Sequence, residues 1–318
     1  MNAGVPLGLS SGLCWGAADF FGGIQSRRLP ALTVAFWSQL AGALALAIAL
    51  AIEGVRPAAT GIAWGLAAGV GSGCALVLFY RSLAEGTMSM VAPISACGAI
   101  VPVAAALLTG NQPGVLAALG VLATIAGVIL VSRPHTSARF APPAVEGDQA
   151  SPASSARGGR RVVAMALGSA LGFGLFYVFV DAGAASTAGT AATTGAVAAA
   201  AAGTAGSHGS PLWVIAGARM SSLAILSMIA LVSRRSALRW PGRRIGAVAL
   251  VGIGDTGANL LFAYAATTGN LAVVGVLGSL YPVATVVLAR WLLRERLSGG
   301  QNVGVVLALT GVVLLAAA

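Results

Sequence analysis

Residues 61–80, GIAWGLAAGVGSGCALVLFY, and residues 245–264, IGAVALVGIGDTGANLLFAY, are two versions of one segment. An offset of 184 places Gly73 on Gly257, Leu76 on Leu260 and Tyr80 on Tyr264. The same offset carries Ser95 onto Ser279, Gly120-Val121 onto Gly304-Val305 and Gly127-Val128 onto Gly311-Val312, with no gap in between. Upstream the match continues at an offset of 158, where Leu9 to Gly16 (LSSGLCWG) fall on Leu167 to Gly174 (LGSALGFG). The two offsets differ by 26 residues, and the Ala/Gly/Thr-rich segment 182–210 fits such an insertion. Self-similarity on this scale is a stronger guide to architecture than any short motif.

Both segments have the length and the near-absence of charge that a membrane-spanning helix needs. Ten such stretches run along the chain, near 5–24, 31–51, 61–80, 88–108, 114–131, 162–180, 212–232, 245–265, 271–291 and 300–318. The composition agrees, with 58% hydrophobic residues, 8% charged residues and a mean hydropathy of +0.91. Aromatic residues are scarce, so close helix packing must come from Gly and Ala. Gly8, Gly12 and Gly16 in span 1, and Gly61, Gly65, Gly69 and Gly73 in span 3, recur every four residues and so line one face of each helix.

All 18 basic residues are Arg, as in chains encoded by GC-rich bacterial genomes. Sixteen of them, from Arg27 and Arg28 through Arg81, Arg133 and Arg243 to Arg296, lie in the gaps after spans 1, 3, 5, 7 and 9. The alternate gaps hold only Arg56, and Arg219 lies inside span 7. By the positive-inside rule the arginine-bearing gaps face the cytoplasm and both termini face outward. An eleventh span within 182–210 would reverse the gap holding Arg234 to Arg244, which rejects it. Residues 132–161, rich in Arg, Pro and Ser, read as a flexible cytoplasmic linker. The expected division is a first five-helix repeat over 1–131, the linker, and a second repeat over 162–318.

A formal charge of +10 does not signal nucleic acid here, because the arginines flank spans and no aromatic-interleaved basic patch exists. Cys14, Cys74 and Cys97 lie in spans, while His135 and His208 lie in gaps. No metal, cofactor or nucleophilic constellation is expected from them. The sequence also carries no phosphate-binding loop of a self-contained ATP-driven pump.

A unit of five spans repeated in tandem must lie in opposite orientations in the membrane. Inverted repeats of this kind are a recurrent design of secondary transporters. The expected class is therefore an all-α integral membrane protein with ten transmembrane helices in two inverted five-helix repeats. Trp15-Gly16 in span 1, Pro93 in span 4 and the run Pro282, Arg294-Glu295-Arg296, Gly304 and Gly311 resemble the drug/metabolite transporter superfamily, EamA type. The resemblance implies a central cavity and the movement of a small metabolite or drug-like molecule. Export across the bacterial cytoplasmic membrane is the expected direction, with protons as a candidate coupling ion. A non-transporting membrane scaffold or sensor is the alternative. One departure from internal symmetry stands out: Glu295 is matched in the first half by Asn111.

Ionisable side chains in mid-membrane are costly, and few are present: Asp19 (span 1), Arg219 (span 7) and Asp255 (span 8), with Asp181 at the edge of span 6. Counting from the flanking arginines at about 1.5 Å per residue places Asp255 near 16 Å, Arg219 near 22 Å and Asp19 near 12 Å from the arginine-rich end. Those depths allow the three to share one cavity and Arg219 to pair with Asp255. A pair that only fixes helix register is the competing reading. Trp15, Gln39, Tyr177, Tyr281 and Asn259 join them as candidates, Asn259 lying one helical turn from Asp255. Tyr80 and Tyr264, at equivalent repeat positions, are either pathway residues or headgroup-level anchors.

Overall fold

The computed structural model describes residues 4–54, 57, 59–108, 114–131, 152–188, 212–233, 238–268 and 277–317. The expectations for Arg56, Asn111, His135 and His208 fall outside them, as do those for most of the linker and of the 182–210 insertion, and for the side chain of Asp181.

Ten helices make up the described chain: α1 (Gly4–Ser26), α2 (Ala31–Glu53), α3 (Ala59–Glu85), α4, α5 (Val115–Val131), α6 (Pro152–Ala188), α7 (Leu212–Val232), α8 (Ile245–Thr268), α9 (Tyr281–Leu292) and α10 (Gly299–Ala317). Helix α4 runs from Met88–Ala96 through a 3-10 turn, Cys97–Ala99, into Ile100–Leu108. Six of the spans are long and apolar enough to cross a membrane by length and composition alone, and three more are shorter apolar helices. Helix α1, of 23 residues, is long enough as well; its Gly12 and Gly16 pack against the backbone at Leu277 and Tyr281, and its Asp19 lines the interior. Helix α6 corrects the expected boundaries at both ends. It begins at Pro152, inside the stretch read as linker, and its helical residues continue to Ala188, into the stretch read as inserted loop.

The pattern of helix contacts displays the repeat directly. Helix α1 packs on α8 and α9, and α6 packs on α3 and α4. Helices α3 and α7 pack together, as do α8 and α2. Three further pairs, α2 with α7, α4 with α9 and α5 with α10, join each helix to its own counterpart. Exchanging each helix with the one five places away leaves all of these contacts in place, as a twofold relation between the halves requires.

Small residues make the contacts close. A Cβ on Gly65 or Gly69 of α3 would run into the backbone carbonyls of Val214 and Ala218 of α7, and one on Gly217 would run into that of Ile62. Gly120 and Gly127 of α5 oppose Gly311 and Gly304 of α10, the residues that the 184 offset makes equivalent. Large apolar side chains such as Leu44, Ile48, Leu122 and Trp291 point outward instead. In a membrane that surface meets acyl chains, so close backbone approach, rather than expulsion of water, supplies most of the packing energy.

Pro93 lies inside α4, and the helix tightens to a 3-10 turn four residues later, with Cys97 Sγ donating to the Pro93 carbonyl at 3.1 Å. Proline removes one helical hydrogen bond and crowds the preceding turn. In the second repeat the helical residues 277–279 break at Leu280, which lies 184 positions after Ala96. The fourth helix of each repeat is thus interrupted at adjoining repeat positions.

The five arginine-bearing gaps meet at one end of the bundle. Arg27 donates to Glu295 at 3.2 Å and to the Gly86 carbonyl at 3.2 Å, Arg161 faces Glu85 at 3.8 Å, and Trp37 Nε1 donates to the Arg239 carbonyl at 3.3 Å. At the other end Tyr264 donates to Glu53 at 2.9 Å.

Candidate functional site

A cavity of about 150 Å³ lies between the two halves. Its walls come from α1, α2 and α3 and from their counterparts α6, α7 and α8, with Tyr281 added by α9. Three helices of each half therefore meet their repeat partners around the same space.

The charged centre is Arg219 of α7. Its side chain is buried, Nη1 donates to Gln39 Oε1 at 2.7 Å, and Nη2 donates to the Asp255 carboxylate and, at 3.3 Å, to Thr256 Oγ1. Thr256 in turn donates to the Gly42 carbonyl at 3.1 Å, which closes the network onto the α2 backbone. Gly42 and Gly252 matter here because a side chain on either would meet the other helix, so α2 and α8 approach closely enough for Gln39 and Asp255 to grip one guanidinium. A buried charge left without such partners is strongly unfavourable. Asn259, one turn beyond Asp255, donates Nδ2 to the Asp255 carbonyl at 2.6 Å and presents the rest of its amide to the cavity.

Asp19 lines the same cavity from α1. Among the described residues nothing donates a hydrogen bond to it and no cation pairs with it. Around it stand Trp15, Tyr80, Tyr177 and Tyr281, with Phe173 and Phe176 on the α6 side. Trp15 packs edge-on to Tyr281, their ring centroids 6.4 Å apart, and tilts against Phe262 at 5.5 Å.

Of the residues expected from sequence, Trp15, Asp19, Gln39, Tyr80, Tyr177, Arg219, Asp255, Asn259 and Tyr281 are brought together here. Tyr264 is not. It is 53% exposed at the far end of α8 and hydrogen-bonds Glu53, whereas its repeat mate Tyr80 is buried in the cavity wall. Equivalent positions have different surroundings because the two halves are packed differently in this one conformation. Ser72 and Ser222, which share a hydrogen bond of 3.0 Å across the α3–α7 contact, also line the cavity and carried no separate signal in the sequence.

Glu295 ties the second repeat to the first. Its carboxylate accepts from the Met88 and Ser89 backbone N–H groups at 2.9 and 2.8 Å and from Arg27 at 3.2 Å. Thr87, at the N-cap of α4, makes no side-chain capping bond, so an acid from the other repeat supplies the cap. Arg294 just before it adopts a left-handed φ of 53°, which turns the α9–α10 link toward α4. Among the described residues no group of three or more His, Cys, Asp or Glu is placed to hold a metal ion.

The EamA-like transporter family matches residues 2–133 and 186–317, more than half of the sequence. The chain belongs to that family, within the drug/metabolite transporter superfamily, and is a multi-pass membrane protein of the transporter class. No curated protein matches it. A protein crystal structure 16% identical in sequence superposes with a TM-score of 0.59, covering 98% of this chain and 95% of its own. At that identity the likeness speaks for the fold alone.

Proposed function

We infer that the protein is a secondary transporter that moves a small organic solute across the bacterial cytoplasmic membrane by alternating access. The observation that carries this reading is the position of the cavity. It lies between the repeats, is walled by equivalent helices of both, and gathers the mid-membrane charges Asp19, Arg219 and Asp255. Two inverted units around one site can exchange roles, so that a state open to one face has a counterpart open to the other. In this reading the arginine-rich end faces the cytoplasm, both termini face outward and the direction is export. Asp19, the cavity carboxylate that no cation pairs with among the described residues, is the candidate proton site of the cycle.

A thermal-shift screen of the purified protein across amino acids, nucleobases and organic amines tests it, since a ligand of the folded state raises the melting temperature. Hits are then loaded into proteoliposomes, and flux is followed under an imposed pH gradient. The expected result is flux of at least one hit by the wild type and none by Asp255→Asn. Hits that bind and are never carried, in either direction, contradict the transporter reading.

A further inference from the structure

We propose that the cavity selects an organic cation bearing an apolar or aromatic body, with Asp19 as its counter-ion. The proposal rests on the cavity being the transport site and adds the chemical class of what occupies it.

Charge accounting points there. Three ionisable residues with formal charge line the cavity: Arg219, Asp255 and Asp19. The guanidinium of Arg219 is engaged by Asp255, Gln39 and Thr256, so it neutralises Asp255 and offers little to an incoming anion. Asp19 is left as the charge without a partner among the described residues. With Asp19 ionised the lining carries a net charge of minus one, held at a carboxylate that lines the open space. An unpaired carboxylate in a low-dielectric pocket calls for a cation, and a cation entering the same pocket must replace its own hydration.

The walls meet the second requirement. Trp15, Tyr80, Tyr177 and Tyr281 lie along the cavity with Asp19, and Phe173 and Phe176 face it from α6. Aromatic faces attract an ammonium group through their quadrupole, and most strongly where water is excluded. They also cover an apolar body without demanding hydrogen bonds from it. A carboxylate-bearing solute would find Asp19 and no free cation. A zwitterion would have its ammonium accepted and its carboxylate stranded.

The test uses the full-length protein with Cys14, Cys74 and Cys97 replaced and a single cysteine at Ser72→Cys on the cavity wall. Two thiol reagents of similar size are compared, 2-(trimethylammonium)ethyl methanethiosulfonate and 2-sulfonatoethyl methanethiosulfonate, each rate normalised to that with a free thiol in solution. The expected outcome is a preference for the cationic reagent of about tenfold or more, the scale on which a charged cleft concentrates counter-ions. Asp19→Asn should bring the preference close to one. Protection of the same cysteine against N-ethylmaleimide should follow the order phenethylammonium, then L-phenylalanine, then 3-phenylpropanoate, three probes sharing one aromatic body. Equal rates for the two reagents, a preference unchanged in Asp19→Asn, or protection by phenylalanine equal to that by the amine would overturn the cation assignment and leave the transport cavity standing. If neither reagent reaches the cysteine, the cavity is not a solute site and both readings fall.

Discussion

Arg219 and Asp255 pair because each would otherwise stand alone in the membrane interior. Removing one partner from a buried pair strands the other, at a cost of roughly 3 to 5 kcal/mol. The lower end applies here, because the Asp255 side chain is 36% exposed, toward the cavity, and Gln39 and Thr256 still hold the guanidinium when the carboxylate is gone. Asp255→Asn and Arg219→Gln should therefore each lower stability by about 3 kcal/mol. The double variant should lose clearly less than their sum, and a double-mutant cycle on thermal unfolding reads the coupling. Purely additive losses would mean that the pair contributes nothing as a pair. The participants were legible in the sequence for a simple reason: a charge inside an apolar span is rare enough to be noticed, and its depth follows from residue counting. The grip of Gln39 and Thr256 was not legible, because it depends on the close approach of α2 to α8 at Gly42 and Gly252. Tyr80 and Tyr264 illustrate the same boundary. Their repeat positions are identical, and only packing separates a cavity wall from an exposed membrane end.

At the scale of the helix, glycine placement decides the architecture. Gly65 faces the Val214 backbone so closely that an added methyl has no room, while Gly246 in α8 has nothing within 4 Å of where a Cβ would sit. Gly65→Ala should force α3 and α7 apart and lower the melting temperature. Gly246→Ala should be neutral or stabilising by up to about 1 kcal/mol, since alanine loses less backbone entropy in a helix. Comparable effects of the two substitutions in thermal unfolding would contradict the assignment of α3–α7 as a backbone-to-backbone contact. The four-residue glycine period marks this face in the sequence itself. The length of α6 was less readable: polar, Ser- and Arg-bearing residues before 162 look like linker by composition, which masks the helix-start signal of Pro152 directly after Ser151. Glu295 capping α4 was hidden for a different reason. Acceptor and donors lie about 200 residues apart in sequence and meet only through the repeat-to-repeat docking of α4 with the α9–α10 link.

For the whole molecule, the exchange-symmetric contacts contrast with asymmetric ends. The arginine-rich end is tied by Glu295 to Arg27 and to the start of α4, whereas the residue equivalent to Glu295 in the first half is the neutral Asn111. A charge-assisted bond is roughly twice as strong as a neutral one, so the Glu295 carboxylate ties the arginine-rich end more firmly than an amide at that position would. The ten-helix, two-repeat plan could be read from the ten apolar stretches together with the 184 and 158 offsets. The asymmetry needed both the sequence comparison and the structure. The central claim is that one cavity between the repeats opens to each face in turn. The most direct measurement is the labelling of the lone cysteine in Ser72→Cys by a membrane-impermeant maleimide, in right-side-out and in inside-out vesicles, with and without Glu295→Gln. The account predicts labelling from both faces, and faster labelling from the arginine-rich face once Glu295→Gln removes the charged tie. Labelling from one face only, unchanged by Glu295→Gln, would contradict it.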